Sequence, residues 1–222
     1  ENVSFEYEPG KPALAGISFS VSPGKSLAIV GPVGSGKSTI AALLTRLRQP
    51  TSGRVLIDGK PIEDYDSLTL RQVTGYVPQE TFLFSESIAD NIAFGVHDLP
   101  ESEIEEAAGV AQLAPEIEAF PDRYKTLLGE RGVNLSGGQK QRTAIARALA
   151  KRPRLVVLDD CLSAVDTRTE EAILKGLKRA LARTTSVIIA QRVSAVAHCD
   201  EIIVLDHGKI VERGTDAELR SK

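Results

Sequence analysis

The run Gly31-Pro32-Val33-Gly34-Ser35-Gly36-Lys37-Ser38 constrains this chain more than any other segment, because of what flanks it. An apolar, β-branched run, Ser26–Val30, leads straight into it. A stripe of Ile40, Leu43, Leu44 and Leu47 at helical spacing follows within Lys37–Arg48. A strand, a glycine-rich turn and a helix N-terminus in that order make an anion cradle. The glycines let backbone N–H groups turn inward around phosphate oxygens, and the helix dipole favours negative charge. The pattern predicts that Gly31, Gly34, Ser35 and Gly36 line the phosphates of a bound nucleotide, with Thr39 beside them. Lys37 is expected to reach the β- and γ-phosphates, and the Ser38 hydroxyl to coordinate Mg2+. A chance match to a glycine-rich turn is the competing reading, and the strand–loop–helix context argues against it.

Four further short runs, Arg54–Ile57, Leu155–Asp159, Ser186–Ala190 and Glu201–Leu205, read as strands buried on both faces of a mostly parallel sheet. Amphipathic stripes in Gln139–Lys151 and Thr169–Leu181 predict helices between them, which is the α/β pattern. Val3-Ser4-Phe5-Glu6-Tyr7 alternates like an edge strand, with Pro9-Gly10 as its turn. From about Phe82 to Ala150 no convincing strand interrupts the chain. Ser102-Glu103-Ile104-Glu105 reads there as a capping box opening a helix through Ala114, and Pro115 and Pro121 break the pattern afterwards. The expected architecture is one α/β unit over 1–222, a P-loop NTPase (RecA-like) core at about 1–79 and 151–222. It carries an N-terminal antiparallel β element and an inserted α-helical subdomain at about 80–150.

Composition removes other classes. With 27 basic against 30 acidic side chains there is no excess of positive charge, so a nucleic acid is not an expected partner. No apolar run approaches the ~20 residues of a membrane-spanning helix, and nothing at Glu1 has the form of a signal peptide. The chain contains no methionine, so it is expected to be a domain cut from something larger, or a processed product. Cys161 and Cys199 cannot build a disulfide framework, which fits a reducing compartment; Cys161 reads as a small buried hydrophobe. His97, His198 and His207 are scattered and take no catalytic or metal role. The one metal expected is the Mg2+ that arrives with ATP.

Two more motifs decide the chemistry. Leu155-Val156-Val157-Leu158-Asp159 is a buried strand delivering a carboxylate at its C-terminal end, where this fold class holds the Mg2+ shell beside the phosphates. Leu135-Ser136-Gly137-Gly138-Gln139 is, taken alone, a glycine-rich N-cap for the next helix. In this order, the phosphate loop, the LSGGQ pentapeptide and the strand ending at Asp159 resemble the three defining motifs of the ATP-binding cassette (ABC) family. The likeness extends along essentially the whole chain. Tyr7 resembles the aromatic that stacks on adenine, and Gln79, in Tyr76-Val77-Pro78-Gln79, the glutamine that senses Mg2+ and links the core to the helical subdomain. Ser163-Ala164-Val165-Asp166 resembles the D-loop, and Gly129-Glu130-Arg131-Gly132 the X-loop of exporter cassettes. Singly, Tyr7 could be an ordinary edge-strand aromatic and Gln79 a solvated loop residue.

The resemblance implies two cassettes packed head to tail, each ATP lying between the phosphate loop of one and the signature of the other. Ser136 and Gly138, with Gly137 and Gln139, would then meet the γ-phosphate of a nucleotide bound mostly by a partner chain. ATP binding would thereby become motion. Phe82 and Phe84, in Gln79-Glu80-Thr81-Phe82-Leu83-Phe84-Ser85, resemble the segment on which an exporter's membrane domain docks; the alternative is that both fill the helical subdomain's core. Non-transport relatives in DNA repair or translation fit less well, because no coiled-coil insertion and no second cassette are visible.

Two positions depart from an active cassette. Where the family places the glutamate that activates water, this chain has Asp160, one methylene shorter. Where it places the switch histidine, this chain has Gln191, which can donate a hydrogen bond but cannot become a cation. The pair resembles the degenerate half of heterodimeric ABC exporters. The implied function is firm ATP binding with slow hydrolysis at the chain's own site. Export would be powered through a transmembrane domain of the same transporter, from the cytoplasmic face, with a different second cassette. An active homodimeric exporter or an importer subunit is the alternative.

Overall fold

The computed structural model describes residues 1–191 and 196–221. Its centre is a six-stranded mixed sheet built from β3 (Ser26–Val30), β6 (Thr74–Val77), β7 (Leu155–Asp159), β8 (Thr185–Ile189), β9 (Glu201–Asp206) and β10 (Lys209–Gly214), in the spatial order β10-β9-β3-β8-β7-β6. All neighbours are parallel except β10, which turns back antiparallel on β9 as an edge. A two-stranded antiparallel ribbon, β1 (Val3–Glu8) with β2 (Lys11–Ile17), covers part of one face.

The strands are apolar throughout because both faces are covered, and alternate residues serve different cores. Leu27, Ile29, Val157, Val187, Ile189, Ile203 and Leu205 face α1 (Lys37–Leu44) and the β1–β2 ribbon. Ala28, Val30, Val156, Leu158, Ile188 and Ile202 face the opposite way. They share a core with α3 (Ile88–Ala93), α4 (Glu101–Val110), α5 (Ala114–Ile117), α6 (Gly137–Ala150) and α7 (Thr167–Ala180). In chain order α2 (Ser67–Val73) precedes β6, and α3 to α6 lie between β6 and β7. Among the described residues the only strand-like contact between those two strands is an isolated bridge, Ser87 to Leu127.

Several expectations need correction. Arg54–Ile57 is not a buried central strand. Only β4 (Leu56–Ile57) forms, as a half-buried hairpin with β5 (Lys60–Pro61) around the Asp58-Gly59 turn, with Arg54 exposed. The helix after the phosphate loop ends at Leu44 rather than Arg48. Thr45 bonds back to the Ala41 carbonyl, Arg46 takes a left-handed φ of 54°, and Leu47 leaves the apolar stripe. Ser102 is not an N-cap: α4 starts two residues earlier than that cap would set, after Pro100, whose extended backbone ends the preceding loop without a side-chain cap. That helix also stops at Val110, short of Ala114, because Gln112 turns left-handed at φ 54°. The partner strand β2 and the strands β6 and β10 lack a continuous apolar run: β6 contains Gly75, and β10 is an edge with four of its six residues exposed. The remaining sheet strands and the helices α6 and α7 lie within two residues of their sequence boundaries.

Candidate functional site

The carboxyl ends of the parallel strands open onto a cleft, the place where open α/β sheets bind ligands. The loop after β3 brings Val33, Gly34, Gly36, Lys37, Ser38 and Thr39; the end of β7 brings Asp159 and Asp160; Ile189 and Gln191 come from the end of β8. Tyr7 and Gln79 close the rim, and the free volume is about 330 Å³. Tyr7 is 60 % exposed; its ring is set edge-on against Phe5 and its hydroxyl lies 3.1 Å from Thr39 Oγ1. Gly36 sits at the N-cap of α1 with φ 103°. A Cβ there would lie 2.7 Å from both the Ala13 carbonyl oxygen and Leu14 Cδ2, so only glycine lets the loop pass this close to β2.

The cleft is shaped for a polyanion and a hard cation. Lys37 Nζ is buried and donates to the carbonyl oxygens of Gly31 (2.8 Å) and Pro32 (2.7 Å), inside its own loop. Burial lowers its pKa, against the pull of Asp160 and Asp159. Ser35 Oγ is buried without a hydrogen-bond partner in the same loop. Ser38 Oγ donates to Asp159 Oδ1 at 3.1 Å. Burial pushes the Asp159 carboxyl up, the Ser38 hydrogen bond opposes this, Asp160 pushes further up and Lys37 pulls down. Two adjacent hard oxygens fit Mg2+, which is usually bound through one or two carboxylates and completes its shell with phosphate and water. Among the described residues no cluster of three or more His, Cys, Asp or Glu side chains could hold a metal on its own.

At the end of the cleft Gln191 Nε2 donates to Asp160 Oδ2 at 2.9 Å. Asp160 has a left-handed backbone, φ 46°, and its N–H donates to the Ile189 carbonyl, which ties the β7 and β8 ends together. The two departures from the family pattern are therefore in direct contact. Next to them Cys161 is buried and its thiol is pushed up to about 12 by burial, which makes it a packing residue.

Ser136, Gly137, Gly138, Gln139 and Asp166 do not line this cleft. Ser136 caps α6 in a full capping box: its Oγ accepts the Gln139 N–H (3.2 Å), and its own N–H donates to Gln139 Oε1 (2.8 Å). Ser136 and Gly137 are exposed. A Cβ on Gly138 would come within 3.1 Å of the Ala164 carbonyl oxygen, because the 163–166 loop packs directly on the helix start. Gln141 bridges the two, accepting from Ala164 N (3.1 Å) and donating to Ser163 Oγ (3.3 Å). Asp166 caps α7, accepting from Thr169 N. The sequence reading did not single out Gln141, nor Glu116, which bonds Gln139 and Arg142. Polar residues inside the otherwise apolar α6 stripe were the available signal for Gln141 and Arg142; nothing in the sequence marks Glu116.

Beyond Gln79 the chain forms an aromatic face. Phe84 stacks on Phe94 (centroids 4.4 Å apart) and meets Phe82 edge-on; Phe82 and Phe94 are each about half exposed, and none of the three belongs to a core. Arg147 of α6 lies against Phe84 and Phe94. It donates to the Asn91 backbone oxygen (2.7 Å), Asn91 Oδ1 (2.8 Å) and the Phe82 backbone oxygen (2.9 Å).

Comparison with known proteins agrees with this geometry. Residues 14–163 match the family model described as ABC transporter. Over its full length the chain is 48 % identical to the ABC transporter ATP-binding protein YknU of Bacillus subtilis, covering 38 % of that protein. It is 46 % identical to human ATP-binding cassette sub-family B member 6, covering 26 % of it. A bacterial Atm1-family ABC exporter solved with ATP bound superposes with a TM-score of 0.96 at 44 % identity, over all of this chain and 39 % of that one. The chain thus spans well under half the length of these relatives.

Proposed function

This chain belongs to the ABC transporter family, and we propose that it is the ATP-binding motor of an exporter whose own hydrolytic site is slow. One observation carries the reading: the phosphate loop, Asp159, Asp160, Gln191, Gln79 and Tyr7 share one cleft, while the Ser136–Gln139 helix start, with Ser136 and Gly137 exposed, does not line it. A nucleotide held by the cleft therefore lacks the signature donors unless a second cassette supplies them. By the same logic this chain's signature serves a partner's nucleotide.

In this proposal Tyr7 carries the adenine, the loop N–H groups and Lys37 carry the phosphates, and Ser38, Asp159 and Gln79 hold Mg2+, which neutralises phosphate charge. Asp160 would take the proton from the attacking water. Its side chain is one methylene short of the family's glutamate and is held by Gln191, and both features slow a step that is demanding in reach. The face of Phe82, Phe84 and Phe94 docks a transmembrane domain at the cytoplasmic face of a membrane. The same residues in an active homodimer are the alternative, favoured by the carboxylate that Asp160 still presents to the cleft.

Titration with a fluorescent ATP analogue tests the assignment of halves. Lys37→Ala is expected to weaken binding by the isolated chain more than about tenfold, since a charge-assisted phosphate contact is lost, while Ser136→Ala leaves it unchanged. Equal losses from both would show that one chain already assembles the whole site.

A further inference from the structure

The start of α6 is held in place by a side chain that belongs to no motif. We propose that Glu116, on α5, is a positioning residue for the Ser136–Gln139 segment, orienting it for a nucleotide on a second chain; this rests on the reading of that segment given above.

Gln139 Nε2 donates to Glu116 Oε2 at 2.7 Å, and Gln139 Oε1 accepts the Ser136 N–H at 2.8 Å. A side-chain amide has two unlike ends, and a carboxylate can only accept. Glu116 therefore reinforces the orientation that the Ser136 N–H also demands: the amide NH2 faces Glu116 and its oxygen faces Ser136. With an apolar residue at 116 only the Ser136 N–H orients the amide, and the capping box loses its outer anchor. In the box as it stands, Ser136 Oγ accepts the Gln139 N–H, so the hydroxyl hydrogen is left to donate outward. An outward donor beside exposed Gly137 is what a phosphate oxygen, an acceptor only, requires.

The other Glu116 oxygen accepts from Arg142, whose side chain is only 7 % exposed and whose Nε is buried without a hydrogen-bond partner. One carboxylate thus compensates a buried guanidinium one turn into α6 and fixes the amide at its start. Both contacts reach across from α5, so the donor geometry of the segment depends on a residue outside it.

The test is ATP-driven association, read by sedimentation velocity on the chain in an Asp160→Asn background that suppresses hydrolysis. Glu116→Ala should raise the dimer dissociation constant about tenfold, the scale of one lost charge-assisted hydrogen bond, while affinity for a fluorescent ATP analogue in the monomer moves less than about twofold. Glu116→Gln, which keeps an acceptor for Gln139 but loses the charge, should fall between. In a Gln139→Ala background Glu116→Ala should add little, because it acts through that amide. A Glu116→Ala chain that associates like the unaltered one, while Ser136→Ala fails, overturns this role and leaves the wider reading standing. A loss that persists undiminished in the Gln139→Ala background marks a merely structural tie and also overturns it. A silent Ser136→Ala in a chain that associates with ATP removes the segment's role and that of Glu116 together.

Discussion

Arg147→Met asks whether a buried cation can be worth keeping. Burial alone pulls the guanidinium from 12.5 down to about 10, a penalty of about 3 kcal/mol. Against it stand two part-buried bonds to Asn91 at about 1.5 kcal/mol each and two ring contacts, with Phe84 and Phe94, at about 0.5 kcal/mol each. The bond to the exposed Phe82 carbonyl adds little, since water can replace it. These gains, about 4 kcal/mol, only slightly exceed the penalty. Truncation has a further cost. Asn91 is fully buried, and its backbone oxygen loses the Arg147 donor, at about 1–3 kcal/mol. The net expectation is a loss of about 2–4 kcal/mol, or roughly 5–15 °C in Tm for a chain of this size. Differential scanning calorimetry and urea denaturation would read it. An unchanged or raised Tm would refute the reasoning, because it would mean that desolvation outweighs the whole network.

Other consequences follow from single contacts. Gly36→Ala forces a Cβ to 2.7 Å from two neighbours at φ 103°, so roughly 2 kcal/mol or more of stability and most ATP-analogue affinity should be lost; retained affinity in a folded variant would contradict the loop geometry. The Asp200 carboxyl is held down to about 2 from 3.8, first by the Lys25 hydrogen bond and then by the Ser26 N–H and hydroxyl. A depressed acid stabilises fully above 3.8 and progressively less as pH falls toward 2. The Tm gap between the unaltered chain and Asp200→Asn should therefore be widest near neutrality and close across that acid range. Gln191 does not titrate, so turnover should show no inflection from this position, whereas Gln191→His should introduce one near pH ~6.5.

The central strands were readable because each is apolar on both faces, a demand that only a covered sheet makes. Strand β6 was harder, since Gly75 and half-buried Tyr76 dilute the pattern, and β10 is an edge that leaves most of its residues wet. Gly34, Gly36, Lys37 and Ser38, which line the cleft, were readable because chemistry fixes both their type and their spacing. Helix ends were misjudged where backbone decided them: Arg46 and Gln112 stop their helices by turning left-handed, which neither residue type advertises. The Glu116 contact was invisible because its partners lie on another helix, and only packing brings them together. Direct contact between Asp160 and Gln191 likewise required the β7–β8 register, which sets Asp159 opposite Ile189.

Magnesium-dependent ATP turnover of the unaltered chain beside Asp160→Glu/Gln191→His tests the slow-site assignment most directly. A slow site should gain at least about tenfold in kcat from restored general-base reach, with ATP affinity within about twofold. Brisk turnover by the unaltered chain, in the ordinary enzyme range of about 1–1000 per second and no faster in the double variant, would contradict it.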